Sequence, residues 1–202
     1  MSEAVVRLSG VSKHYRTVGR FFGSNRADVR AVSEVSLEIR AGQAFGLVGE
    51  SGSGKSTLAR MMLGLEAPSA GHIEIDGIRL PARSRREITA LRKRIQIVFQ
   101  DPYGALDPMM TVGSSIEEPL INLTTMDRAA RRRTVMTLLE DVGLPLRMYD
   151  AHPHQLSGGE RQRVCIARAL FDPQHSYTRA LVEAATYFLD GIPRRHAADT
   201  PA

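Results

Sequence analysis

The sequence is poor in cysteine and aromatics: Cys165 is the only cysteine, tryptophan is absent, and aromatic residues make up 5% of 202 positions. A lone cysteine excludes an internal disulfide and any metal centre built from several thiolates of one chain, and it agrees with a reducing compartment. Long hydrophobic runs are also missing. The best of them, Ala44-Phe45-Gly46-Leu47-Val48-Gly49, falls far short of the ~20 apolar residues that a membrane-spanning helix needs. Met1 to Arg7 has neither a basic n-region nor an apolar h-region, so the expectation is a cytoplasmic protein without a secretory signal. Lysine is scarce as well: Lys13, Lys55 and Lys93 are the only three, and arginine supplies the rest of a net charge of +5. The dense basic runs, Arg83-Ser84-Arg85-Arg86, Arg92-Lys93-Arg94 and Arg131-Arg132-Arg133, lie on segments with helical patterning and carry no interleaved aromatics for base stacking. They read as solvated helix faces, or as surfaces for acidic partners or headgroups, and nucleic acid is not expected.

What is present is the composition of a soluble globular chain, 43% hydrophobic and 24% charged. Val5 to Gly10 and Val35 to Ile39 read as half-buried strands, separated by a polar loop over 17–28. The run Ala44 to Gly49 reads as a strand covered on both faces. Leu58, Met61, Met62 and Leu65 follow at i, i+3, i+4 and i+7, one stripe of a helix closing at Gly64 or just beyond. His72 to Gly77 predicts a strand entering an Asp-Gly turn, Arg86 to Arg94 a helix, and Ile95 to Phe99 a buried strand. From Asp101 the pattern turns helical, over Val112–Leu120 and Asp127–Val142, with Asp127 as N-cap and Gly143 as C′ residue. Pro145 to Gln155 reads as loop, Ser157-Gly158-Gly159 opens a further helix, and a last helix is expected over 177–186.

Gly49-Glu50-Ser51-Gly52-Ser53-Gly54-Lys55-Ser56 matches the phosphate loop G-x-x-x-x-G-K-[ST], placed between an apolar run and an amphipathic helix as its mechanism requires. Its glycines let backbone N–H groups converge on phosphate oxygens, the helix N-terminus adds positive potential, Lys55 bridges β- and γ-phosphates, and the Ser56 hydroxyl is a ligand for Mg²⁺. The candidate nucleotide site is therefore Gly49, Ser51, Gly52, Ser53, Gly54, Lys55, Ser56 and Thr57. The competing reading is a glycine-rich turn with an incidental lysine, which the agreement of pattern and context disfavours. A phosphate loop alone does not separate kinases, GTPases and transport ATPases.

Leu156-Ser157-Gly158-Gly159-Glu160-Arg161-Gln162-Arg163 is the second motif, a serine and two glycines at a helix start. Alone it is equally well a serine cap followed by flexible glycines. After a phosphate loop, it resembles the signature of ATP-binding cassette (ABC) transporter ATPases. That resemblance implies that Ser157, Gly158 and Gly159 contact the γ-phosphate of ATP held by a second ATP-binding subunit in a head-to-tail dimer. It implies that Gln100 reaches Mg²⁺ and the attacking water, and that Tyr15 stacks on adenine, with Phe21 or Phe22 as competitors. The strings Gln100-Asp101-Pro102-Tyr103-Gly104-Ala105-Leu106-Asp107-Pro108, Pro153-His154-Gln155-Leu156 and Pro173-Gln174-His175-Ser176-Tyr177 look like the oligopeptide, dipeptide and nickel importer ATPases. The implied partners are ABC membrane subunits, so the chain would be peripheral on the inner face of the cell membrane and touch it only through them.

The sequence departs from that family after Leu170. No run of four apolar residues ending in Asp-Glu follows the signature helix; Tyr187-Phe188-Leu189-Asp190-Gly191 comes nearest, with glycine where the general base belongs. None of His14, His72, His152, His154, His175 and His196 has the context of the family's switch histidine, and Phe171-Asp172-Pro173 already reads as the C-terminal region. An internal deletion is the economical reading. The expected fold is an α/β P-loop NTPase (ABC ATPase) core with an antiparallel β portion and a helical subdomain, its central parallel sheet incomplete. The layout is one domain over 1–202: a nucleotide-binding core (1–100), a helical subdomain with the signature helix (101–170) and a C-terminal remnant (171–202). The expected function is the ATP-binding subunit of a peptide or nickel importer using ATP and Mg²⁺, with Lys55 and Gln100 as catalytic residues, no general base and hydrolysis slow or absent. The alternatives are a catalytically dead regulatory subunit and a nonfunctional remnant; LSGGE and the lack of an N-K-x-D motif argue against a kinase or GTPase.

Overall fold

Residues 4–16, 28–99 and 101–170 are described by the structure, a computed structural model. The chain divides into two compact units, Met1–Ile95 and Gln96–Ala202.

The first unit is built on an antiparallel sheet. Strands β1 (Ala4–Arg16), β2 (Asp28–Arg40), β3 (Ala70–Ile75) and β4 (Ile78–Leu80) lie in the order β2-β1-β3-β4. Register pairs Leu37 with Leu8, Leu8 with Ile73, and Ile73 with Leu80, so one row of aliphatic side chains crosses all four strands. Leu8, Ile73 and Leu80 are buried in one cluster with Leu58 and Met61 of helix α1 (Lys55–Met62) and Leu91 of helix α2 (Arg85–Arg94). Fully burying an aliphatic side chain of this size stabilises by about 1.5–3 kcal/mol, so this row and the two helices seal the unit. The Asp-Gly turn forms as expected: Asp76 and Gly77 both take positive φ, 49° and 77°, the geometry of a two-residue hairpin.

Several elements differ from the sequence expectation. β1 and β2 each run 13 residues, well beyond the short strands legible in the alternation, because register shifts along β1 break the period while the ladder continues. α1 ends at Met62, with Gly64 at φ 67° as its C-terminal turn, and Leu65, the last member of the apolar stripe, is exposed. The largest difference concerns the two apolar runs. Residues 43–50 and 95–99 belong to no strand. Phe45 is 46% exposed, Leu47 43% and Val48 93%, and Ile97, Val98 and Phe99 are each exposed by more than a third. A strand buried on both faces needs flanking strands to accept its backbone hydrogen bonds and cover its side chains. The four-stranded sheet lacks a place for these runs, and the sequence after Leu170 has neither of the apolar strands that the resemblance puts beside them.

The second unit is helical. Helices α3 (Val112–Leu123), α4 (Arg128–Asp141) and α5 (Gly158–Ala169) surround one core, with short 3-10 turns at Leu146–Asp150 and Pro153–Gln155. Its periodicity is plain: Val112, Ile116 and Leu120 recur every four residues on α3, and Val135, Leu138, Leu139 and Val142 fall at i, i+3, i+4 and i+7 along α4 and its cap, all buried. The Asp127 carboxylate caps α4 by accepting from the Ala130 amide at 2.7 Å, and Gly143 follows the helix at φ 70°. Burial raises the pKa of the Cys165 thiol inside this core, which makes it a packing residue rather than a nucleophile. Among the described residues no helix is long and apolar enough to cross a membrane.

Candidate nucleotide and signature sites

Residues 49–56 wrap the N-terminus of α1. Gly52 and Gly54 take φ of 82° and 90°, values open to glycine at little cost. At Gly54 a side chain is excluded twice, because a Cβ would also lie 2.1 Å from the Ala31 carbonyl oxygen of β2. The first turn of α1 is distinctive. Helices α2, α3, α4 and α5 all have an N-cap side chain, Ser84, Thr111, Asp127 and Ser157, that accepts an amide of the first turn. The N-cap of α1 is Gly54, which has none. Its first-turn donors are left for something outside the helix.

The Lys55 ammonium curls back over the loop, donating to the carbonyl oxygens of Gly49 at 2.8 Å and Glu50 at 2.5 Å, with the Ser53 hydroxyl at 3.3 Å. Ser51, Ser53 and Ser56 are exposed, whereas Thr57 is buried, so any part Thr57 plays in phosphate binding falls to its backbone. Tyr15 lies near the end of β1, opposite Val29, and its hydroxyl donates to Glu66 at 2.9 Å. Gln100, Phe21 and Phe22 lie outside the described residues, as do Tyr187–Gly191 and the helix expected over 177–186.

At the start of α5, Ser157 and Glu160 close a capping box. The Ser157 hydroxyl accepts from the Glu160 amide at 3.3 Å and donates to the Glu160 carboxylate at 2.8 Å, which also accepts the Ser157 amide at 2.8 Å. These two bonds from Ser157, backbone first, hold the Glu160 carboxyl below the usual glutamate range. The serine cap that the motif alone allows is formed here, so the hydroxyl that the resemblance offers to a phosphate is engaged with Glu160, three residues on. Gly158 and Gly159 are exposed, and a Cβ on either would meet nothing within 4 Å. Nothing in this chain's own packing demands glycine there.

Sequence reasoning missed two arginines of α5. The Arg161 guanidinium lies 4.1 Å from the Tyr103 ring centroid and donates to the Pro153 carbonyl at 2.7 Å; Arg168 donates to the Ala105 carbonyl at 2.8 Å. Seven residues apart on one helix, they fasten the 103–105 segment to the signature helix, a pairing that the i, i+7 spacing alone leaves invisible. Among the described residues no cluster of His, Cys, Asp and Glu is arranged to hold a metal.

Residues 32–176, well over half the chain, match the family model for the ABC transporter. The chain is 41% identical over 170 residues to a probable peptide ABC transporter ATP-binding protein, y4tS, of Sinorhizobium fredii, covering 84% of this chain and 48% of that one. It is 41% identical to the nickel import ATP-binding protein NikE of Pseudomonas putida, over 83% of this chain and 60% of that one. A solved cassette, MJ0796, captured as a dimer in a post-hydrolysis state with ADP and Pi, superposes with a TM-score of 0.73 at 30% identity, covering 92% of this chain and 83% of that one. The chain spans about half the length of the curated peptide-transporter relatives it matches. A phosphate loop on an uncapped helix, followed by an LSGGE helix start and joined to a family match of this extent, has one consequence: the chain belongs to the ABC transporter family, among its ATP-binding cassettes.

Proposed function

We propose that this chain is an ATP-binding subunit of an ABC importer of peptides or nickel, one that binds ATP with Mg²⁺ but turns it over slowly or not at all. The observation that carries the reading is the first turn of α1, whose N-cap Gly54 supplies no side chain while Lys55 rests on loop carbonyls. Uncapped amides at the positive end of a helix are donors for a phosphate. A lysine held by two carbonyls and a hydroxyl, all neutral acceptors, gains when it exchanges them for anionic phosphate oxygens, which add the attraction of opposite charges. The exposed Ser56 hydroxyl, one residue on, fits a Mg²⁺ ligand, with Gln100 as the second protein group assigned to it. Mg²⁺, when bound, neutralises charge on the β- and γ-phosphate oxygens.

The names of the relatives support a peptide or nickel importer, and the dimeric cassette supports pairing with a second ATP-binding subunit; the head-to-tail arrangement and the docking on membrane subunits follow from the family resemblance. In that pair the exposed Gly158 and Gly159 let a neighbour's phosphate approach the backbone, and the Ser157 hydroxyl leaves Glu160 to donate to it. The layout proposed is one cassette domain: a nucleotide core to residue 100, a helical subdomain to residue 170 and a remnant beyond. A second reading, a hydrolysis-dead subunit serving a complete partner, is favoured by the missing Asp-Glu strand and by the exposure of Phe45, Leu47 and Val48. ATP binding and turnover, measured for the chain alone and mixed with a complete paralogue, separate these. Binding without turnover alone, and turnover restored to the mixture, supports a subunit whose signature serves the partner's ATP; robust turnover by the chain alone overturns the loss of the base.

A further inference from the structure

The end of β1 is tied to the segment after α1 by one carboxylate. Glu66 Oε2 accepts the Tyr15 hydroxyl at 2.9 Å and lies 3.8 Å from Arg60 Nε, while Glu66 Oε1 pairs with Lys13 Nζ at 3.0 Å. Lys13 stands two residues before Tyr15, on the same face of the strand; its ammonium also donates to the Ala67 carbonyl at 2.8 Å and lies 5.3 Å from the Tyr15 ring centroid. The Lys13 and Glu66 side chains keep only 15% and 22% of their exposure, so the pair is shielded from much of the solvent screening that weakens surface ion pairs. The Tyr15 hydroxyl, ahead of Lys13, holds the Glu66 carboxyl below the usual glutamate range, so Glu66 stays an ionised acceptor near neutral pH. A tyrosine free at its hydroxyl samples ring orientations about two side-chain torsions. Here the far end of the ring is anchored, and a lysine is held beside it by the same carboxylate.

We propose that Glu66 is a positioning residue for the nucleotide base: it fixes the far end of the Tyr15 ring through the hydroxyl, so that the side chain is held in place before adenine arrives. This rests on the assignment of Tyr15 as the stacking residue. The effect is specific to the base, because Glu66 contacts none of the loop 49–56 in the bonds that define this network.

The test is equilibrium binding of ATP and of inorganic tripolyphosphate, which has the phosphates without the base, to the full chain and to five variants, four single and one double. Tyr15→Ala removes the ring and is expected to weaken ATP binding about tenfold, within the range measured for base–aromatic stacking. Tyr15→Phe keeps the ring and removes the tether, and Glu66→Ala removes the acceptor; each is expected to weaken ATP binding by roughly 3- to 10-fold, about the net worth of one ordinary hydrogen bond. Their combination should bind no more weakly than either alone, while Glu66→Gln, which keeps an acceptor oxygen, should lose less than Glu66→Ala. Tripolyphosphate affinity should stay constant throughout. If Tyr15→Ala loses ATP affinity while Tyr15→Phe and Glu66→Ala do not, the role of Glu66 is overturned and stacking stands. If Tyr15→Ala binds ATP like the unaltered chain, the stacking assignment falls and takes this inference with it. Parallel loss of tripolyphosphate binding overturns the proposal in favour of a structural role, and Tyr15→Phe decides the matter if Glu66→Ala does not fold.

Discussion

Gly158 and Gly159 open α5 at a cost of up to about 1 kcal/mol each relative to alanine, yet a Cβ at either would meet open space. Residues that the fold does not require point to something arriving from outside. Gly159→Ala should therefore leave the amide protection of α5 unchanged or raised, while weakening any ATP-dependent pairing with a complete paralogue; reduced protection of α5 would show that the glycine is a folding residue after all. Glu160 makes a second prediction at this scale. Its folded pKa lies below the ordinary value of 4.5, so the stability it adds is fully present above that value and is lost as pH falls through the folded pKa. The advantage of the unaltered chain over Glu160→Gln, read as hydrogen-exchange protection of the first turn of α5, should be constant near neutrality and vanish on acidification. An advantage that persists in acid would mean that the capping box does not depend on the carboxylate charge.

At the scale of elements, legibility followed periodicity. α4 with its Asp127 cap and Gly143 stop, the core-facing stripe of α3, and the Asp76-Gly77 hairpin were all readable, because each rests on local chemistry that the neighbouring residues contain. So was the phosphate loop, whose glycine pattern carries its own mechanism. The ends of β1 and β2 were not, since a ladder with register shifts is held by a partner strand rather than by alternation within one. The Tyr15–Glu66 and Arg161–Tyr103 pairings were hidden for the same reason: their members are 51 and 58 positions apart. Gly54 joins the two kinds of information, a motif glycine whose necessity is tertiary. Gly54→Ala would place a methyl 2.1 Å from the Ala31 carbonyl at φ 90°. A loss of at least ~1–3 kcal/mol in the local stability of α1 is expected, seen as reduced protection of the Leu58 amide, which bonds to the Gly54 carbonyl at 2.9 Å. Unchanged protection would mean that the close approach of β2 to the loop relaxes without cost.

For the whole molecule, each unit has its own core, yet Phe45, Leu47 and Val48 of one apolar run and Ile97, Val98 and Phe99 of the other stay exposed, while Ile95 packs on the first core. Val48 at 93% exposure and Phe99 at 41% lie in apolar segments that belong to no strand, and exposed apolar segments of this kind are templates for intermolecular pairing. The isolated chain should melt without a cooperative, reversible transition and should aggregate as its concentration rises. A sharp, reversible, concentration-independent melt of the monomer would contradict this. The proposed function has a phosphate loop that holds ATP in a chain whose sequence after Leu170 shows no Asp-Glu pair to drive hydrolysis. One titration addresses it directly: ATP binding by the unaltered chain and by Lys55→Ala, with phosphate release followed in the same samples. Saturable binding is expected, weakened at least ~10-fold by the substitution, with no phosphate release above background. Absence of binding by the unaltered chain, or equal affinity in Lys55→Ala, would contradict it.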